Sequence, residues 1–210
     1  MSEELVFYTH PMSRGRIIRW MLEEVGQPYR TEVLDFATSM KSQEYLAINP
    51  MGKVPAIRHG DVVVTEAGAI CAYLADAFPD AGLAPAHGAK DRAAYYRWLF
   101  FAAGPMEQAS TIASMGWQVP DEQRGMVGTR PMGEVLNAVE AALQGREYIA
   151  GGHFTAADLY LGAHLGWGMM MGGIDKRPTF EAYVGRLNAR PAAIRANEID
   201  DRLLADQQAK

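Results

Sequence analysis

Cysteine is nearly missing from these 210 residues. Cys71 stands alone, which excludes an internal disulfide and any cysteine-built metal cluster. No apolar run reaches about 18 residues, so the sequence holds no membrane-spanning helix signal. An excess of positive charge is missing as well: 20 Lys and Arg against 25 Asp and Glu give a net charge of -5, and a nucleic-acid binder usually shows a basic stripe instead. Internal repeats and low-complexity tracts are lacking. The opening Met1-Ser2-Glu3-Glu4 has no signal-peptide pattern, so a cytoplasmic location is the default expectation. What is present is ordinary for a globular protein, with 49% hydrophobic and 21% charged residues in a chain long enough for one large or two small domains. Twelve methionines and nine tyrosines read as adaptable packing.

The chain falls into two halves. Leu5 to Thr9 is strand-like, and Ser13 is an N-cap candidate for a helix whose apolar Ile17, Ile18, Met21, Leu22 and Val25 share one face. Met12 before the cap and Ile17 within the helix are spaced for a hydrophobic staple, and Gly26 is placed to close the helix. Tyr29 to Leu34 reads as a second strand, and a short helix spans Gln43 to Ile48. A helix burying Ala67, Ile70, Cys71, Leu74 and Phe78 ends this half, giving β-α-β-α-β-β-α over 1–79. Pro79 to Pro85 is rich in turn residues and opens a linker over 80–88. Beyond it, 89–210 is helical with almost no strand signal, punctuated by Pro105, Pro120, Pro131, Pro178 and Pro191. Thr155-Ala156-Ala157-Asp158 predicts a capping box, with Phe154 and Leu159 as its staple.

The most informative stretch is Asn49-Pro50-Met51-Gly52-Lys53-Val54-Pro55, followed by a hairpin turning at Gly60 and then Thr65-Glu66-Ala67-Gly68-Ala69-Ile70. Proline lacks a ladder donor and belongs at a strand start or edge. Main-chain groups of Val54 are therefore free to pair with something outside the protein, and a cis X-Pro bond there would be a deliberate feature.

These two motifs, with Phe154-Thr155-Ala156-Ala157-Asp158 and the weaker Phe180-Glu181-Ala182-Tyr183 and Arg190-Pro191-Ala192, resemble the soluble (cytosolic) glutathione S-transferase superfamily over nearly the whole chain. The resemblance implies a thioredoxin-like α/β N-terminal domain joined to an all-α C-terminal domain. It also implies a homodimer that takes glutathione as co-substrate, without a metal, and adds its thiolate to a hydrophobic electrophile. The same scaffold hosts isomerases, dehalogenases and non-catalytic interaction proteins, which stand as alternatives.

Residue by residue, Ser13 is similar to the activating serine of theta-like and related bacterial members. A hydroxyl there can donate to a thiolate while the helix end supplies partial positive charge; the alternative is a plain N-cap. Tyr8, Arg14 and His10 are the competing candidates for activating the thiol, and Arg16 and Arg19 read as a surface face. The absence of a cysteine at Ser13 argues against disulfide reduction. By the resemblance, Val54 pairs its backbone with the cysteinyl main chain of glutathione, Lys53 neutralises the glycine carboxylate, and Glu66 accepts from the γ-glutamyl ammonium. Two departures stand out. Ala67 occupies the usual place of a serine that binds the γ-glutamyl carboxylate. A frequent histidine falls near Met40, with Lys41 as its substitute. Cys71 reads as a buried structural thiol. Met12, Trp98, Phe101, Met106, Trp117 and the Trp167 to Met171 run are candidates to line the electrophile's pocket.

Overall fold

The computed structural model describes residues 3–208. Met1 and Ser2, half of the acidic opening, lie outside the described residues, as do the last two residues of the expected helical half. The first half runs β1 (Leu5–Thr9), α1 (Gly15–Val25), β2 (Arg30–Val33), α2 (Gln43–Leu46), β3 (Ala56–His59), β4 (Val62–Thr65) and α3 (Ala67–Ala77), the expected order of a thioredoxin-like domain. The sheet is ordered β2-β1-β3-β4, with β1 parallel to β2 and antiparallel to β3, and β3 antiparallel to β4.

β1 is buried along its whole length, which explains its unbroken apolar run. Val6 and Tyr8 face a cluster with Met40, Tyr45 and Ala56. α1 buries Ile17, Ile18, Met21, Leu22 and Val25 as their spacing predicts, and Gly26 closes it at φ 71° with its N–H on the Leu22 carbonyl. Met12, expected as a staple, stands exposed. Arg19, read from the sequence as a surface arginine, is fully buried. Its guanidinium lies over the Phe7 ring at 4.9 Å and bonds Thr31 Oγ1, Tyr29 Oη and Asp200 Oδ1 at 2.7, 3.1 and 3.2 Å. Four polar and aromatic neighbours, Phe7, Tyr29, Thr31 and Asp200, take the place of the water that a surface arginine would keep.

The chain forms two compact units, 1–83 with 189–210, and 84–188. α9 (Pro191–Gln208), expected in the helical half, belongs to the first unit because it packs on α1 through Arg19–Asp200 and Arg16–Asp201, with Glu24–Arg190 beside its start. The second unit contains α4 (Asp91–Phe101), α5 (Glu107–Ser114), α6 (Met132–Leu143), α7 (Ala156–Met170) and α8 (Pro178–Asn188). Pro105 does not break the first of these runs. It sits in a π turn over Ala102–Met106, where the wider turn accommodates a residue without an N–H, and the Pro105 carbonyl accepts from Thr129 Oγ1 at 2.6 Å.

The capping box forms at Thr155 and Asp158, and it reaches further than its four residues. The buried Asp158 carboxylate accepts from Thr155 N–H and O–H, from Ile149 N–H and from Tyr183 O–H. Burial raises its pKa, and those four donors oppose the shift. Among the described residues no helix is long and apolar enough to cross a membrane.

Candidate functional site

The sheet register assembles one end of the first unit. Tyr8 pairs with Ala56, and Ala56 pairs with Thr65. With strands about 4.8 Å apart, the end of β1, the start of β3 and the end of β4 lie side by side. The loop carrying Ser13, the Val54–Pro55 pair and Glu66 therefore emerge along one rim.

Ser13 sits in the tight turn leading into α1. Its N–H and its hydroxyl both donate to the His10 carbonyl, at 3.0 and 2.7 Å, and its Oγ accepts the Gly15 N–H at 2.9 Å. The capping contact foreseen for Ser13 is thus present one residue ahead of the assigned N-cap position, Arg14, because a turn precedes the helix proper. Arg14 is exposed at the helix start. Arg16, far from being an idle surface cation, donates to the Pro11 carbonyl at 2.7 Å and pairs with Asp201, which fixes the loop from below. His10 organises the same loop: its Nδ1 accepts the Met12 N–H at 3.1 Å, and its ring lies 4.2 Å from Phe36. Burial holds the imidazole below its ordinary pKa, with Asp35 pulling the other way. Tyr8 is buried with its ring 5.7 Å from that of Tyr45, inside the cluster under the sheet.

The Val54–Pro55 peptide is cis. Among the described residues, neither the N–H nor the C=O of Val54 pairs with another backbone group outside the strands. What holds the segment is its neighbour: the Lys53 carbonyl accepts from Tyr45 Oη at 2.6 Å and from Asn49 Nδ2 at 2.8 Å. Asn49 is buried, and its Oδ1 also takes the Met51 N–H. Sequence reading missed this pair, although Asn before Pro is a turn signal. The Lys53 side chain is exposed, and the Lys41 ammonium donates to the Gly52 carbonyl at 3.0 Å, one residue away. Met40, at the position of the absent histidine, is buried in the Tyr8 cluster.

Glu66 has φ 68° and ψ 120°, a left-handed backbone that residues with a Cβ rarely adopt. Such strain costs about 1–3 kcal/mol and concentrates at functional positions. It turns the chain so that α3 begins at once with Ala67, leaving the first amides of the helix without intrahelical acceptors. Cys71 lies fully buried four residues on, and burial pushes its thiol far above the usual range, which makes it inert. Of the residues named for an electrophile pocket, Trp98 and Met106 are core. Trp117 instead borders a cavity of about 460 Å³ within the helical unit, together with Ile112, Val119, Val127 and Met132.

The N-terminal and C-terminal domain models of glutathione S-transferase match residues 3–76 and 96–191. The chain belongs to the glutathione S-transferase family. It is 34% identical over 156 residues to glutathione S-transferase GST-4.5 of Xanthomonas campestris pv. campestris, covering 72% of this chain and 74% of that protein. To GstA of Escherichia coli O157:H7 it is 29% identical over 88% of this chain and 90% of that one. A sphingomonad glutathione S-transferase solved with glutathione superposes with a TM-score of 0.76 at 30% identity, covering 93% and 98% of the two chains. The rim at the end of β1, β3 and β4 lies within the residues that the N-terminal domain model matches. Among the described residues no group of three or more side chains is arranged to hold a metal.

Proposed function

We propose that this chain is a conjugating, serine-type, theta-like glutathione transferase that joins the glutathione thiolate to an electrophilic carbon of a small apolar molecule, working as a cytoplasmic homodimer. The observation that carries the reading is the convergence on one sheet end of Ser13, the strained Glu66 and a Val54 backbone that, among the described residues, has no backbone partner. Val54 N–H and C=O take the cysteinyl main chain as an added strand. Lys53 and Lys41 meet the glycine carboxylate. Glu66 accepts from the γ-glutamyl ammonium, and the free amides at the start of α3 meet the γ-glutamyl carboxylate. The sulfur then reaches the first turn of α1, where the Ser13 hydroxyl and the helix end stabilise it as thiolate. Each unit of lowered thiol pKa requires about 1.4 kcal/mol, which a charge-assisted bond and a helix end can supply.

Homodimer formation is supported by α4. Ala93, Tyr96, Arg97 and Phe100 recur at helical spacing and all stand exposed, with Phe100 at 72%. Rings at that spacing form a strip that a second copy can cover.

The test is conjugation of glutathione to a panel of aryl halides, alkyl halides, epoxides and enones by wild type and Ser13→Ala. The expected result is glutathione consumed stoichiometrically with product. In the variant kcat falls about tenfold or more while KM for glutathione changes little. Equal activity in the two proteins removes Ser13 from the mechanism. No turnover, together with no thermal shift in millimolar glutathione, removes conjugation itself.

A further inference from the structure

The Lys53–Val54 peptide is held from one side only. Its carbonyl accepts from Tyr45 Oη at 2.6 Å and from Asn49 Nδ2 at 2.8 Å, and both donors belong to side chains that are 3% exposed. A carbonyl has two lone pairs, so these two bonds fill it. The donors are themselves fixed. Tyr45 lies in α2, with its N–H on the Ser42 hydroxyl, its ring against Tyr8 and its carbonyl taking the Asn49 N–H at 2.8 Å. Asn49 Oδ1 takes the Met51 N–H at 3.1 Å, and the Asn49 carbonyl takes the Gly52 N–H at 2.8 Å, which closes the turn that leads to Lys53. Burial raises the Tyr45 phenol to about 12, so it keeps its proton, and stays a donor, throughout the range of an ordinary assay.

A peptide unit is planar, and in the trans form its C=O and N–H point in opposite directions. The Lys53–Val54 unit is trans; the cis bond of this stretch is the next one. With the Lys53 oxygen turned into the interior, the Val54 N–H must point out of it. No hydrogen bond among the described residues reaches that N–H. The Val54 side chain completes the placement by packing on the cluster of Val6, Tyr8, Met40, Tyr45 and Ala56. The unit can therefore neither flip nor swing without giving up two buried bonds. The effect is also electronic. A carbonyl that accepts two bonds polarises its peptide and makes the N–H on the far side a stronger donor.

We propose that Tyr45 and Asn49 are positioning residues of the glutathione site: through the Lys53 carbonyl they aim the Val54 N–H at the cysteinyl carbonyl of glutathione and strengthen it as a donor. This rests on the reading of Val54 given above. Both side chains act through one peptide unit, on the anchoring of glutathione and not on its thiolate, which is held at Ser13. That anchoring is the same before and during the chemical step. Its loss therefore appears in affinity and leaves turnover at saturation alone.

The experiment measures by calorimetry the Kd of glutathione and of an analogue whose cysteinyl carbonyl oxygen is replaced by sulfur, a poorer acceptor. Tm and kcat at saturating glutathione are measured alongside, in wild type, Tyr45→Phe, Asn49→Ala and the double variant. Wild type should bind the analogue less tightly than glutathione. Tyr45→Phe should weaken glutathione about threefold to tenfold, the range of one neutral hydrogen bond, and keep kcat. The double variant should weaken it further and lose most of the preference for glutathione over the analogue, because the bond that the sulfur disturbs is no longer well aimed. Other effects of the sulfur are common to all four proteins and cancel in the comparison. A glutathione Kd unchanged in both single variants, with wild type still preferring the oxygen ligand, overturns the role of Tyr45 and Asn49 and leaves the pairing at Val54 standing. A wild type that binds the two ligands equally overturns both. A fall of kcat in step with affinity and Tm, with the preference for oxygen intact, assigns the two side chains to stability alone and also overturns the proposal. Should Asn49→Ala misfold, Tyr45→Phe, which removes a single oxygen, carries the same comparison.

Discussion

Ala67 puts an unusual demand on the backbone. In the proposed binding mode, with no hydroxyl at the first residue of α3, the γ-glutamyl carboxylate would be left to main-chain amides and the helix end. Ala67 is 7% exposed at that helix start, and its Cα–Cβ bond, like every one in a helix, tilts toward the N-terminus, where the first amides lack intrahelical acceptors. Ala67→Ser should therefore tighten glutathione by up to ~2 kcal/mol, the scale of one hydrogen bond to a charged group. Calorimetry returning an unchanged Kd would mean that another group already fills the place. Ser13→Cys addresses the neighbouring position. A thiol at that helix start, accepting the amide that Ser13 accepts, has its pKa lowered and becomes a nucleophile in its own right. The variant should trade conjugation for thiol–disulfide exchange, read by mass spectrometry as a mixed disulfide with glutathione. A Ser13→Cys protein that conjugates at the wild-type rate and forms no such adduct would count against a sulfur-facing position 13.

At the scale of elements, the loop from β1 to α1 depends on a neutral histidine. His10 Nδ1 accepts the Met12 N–H, which an imidazolium cannot do. Its pKa is lowered from 6.5 by burial, so the fold favours the neutral form. The contribution to loop order is fully present above 6.5 and is lost as pH falls through the lower folded value. Activity should accordingly fall on the acid side with a limb that thiol ionisation alone does not give. His10→Asn, which keeps an acceptor but does not titrate, should abolish that limb in the pH profile of kcat/KM; a profile identical to wild type would exonerate His10. The clamp between α1 and α9 makes a second case. Arg19 and Asp200 are buried, and removing either charge alone should cost about 3–5 kcal/mol, on the order of 10 °C in Tm, whereas Arg19→Met with Asp200→Leu should recover most of it. Thermal melts of the three variants decide this, and additive losses in the double variant would refute the pairing. These two elements also mark what was legible beforehand. The Thr155–Asp158 box could be read because its partners stand three residues apart, and α1 because its apolar period repeats. Arg19 could not, because the carboxylate that makes its burial tolerable lies 181 residues away. The packing of α9 on α1 was illegible for the same reason: its amphipathic pattern records that one face is covered, and the identity of the covering helix is a long-range fact. At the site, the motifs fixed where Val54 and Glu66 would stand, while the pinning of the Lys53 carbonyl by Tyr45 and Asn49 emerged only from packing.

For the whole molecule, the acidic net charge keeps the chain away from polyanions and leaves self-association to apolar contact. The exposed strip on α4 has the composition of an interface core: aromatic rings and an arginine, with no lysine or carboxylate among Ala93, Tyr96, Arg97 and Phe100. Tyr96 is held in place by two bonds from Arg92, at 3.0 and 2.9 Å, so one ring of the strip is already ordered before any partner arrives. Pre-ordering lowers the entropy lost on association, and aromatic anchors of this kind supply most of the binding energy of an interface of about 1,200–2,000 Å². Phe100 is the natural anchor. Phe100→Glu places a charge where a ring would be desolvated against a copy of itself, and a two-fold interface doubles the penalty because the same residue enters from both sides. The wild-type chain should therefore be a dimer at micromolar concentration by light scattering, and Phe100→Glu a folded monomer with an unchanged circular dichroism spectrum. Ala93→Glu, two turns toward the start of α4, should weaken the dimer without abolishing it. A dimer that survives Phe100→Glu moves the interface to another face, and a monomeric wild type removes the interface altogether.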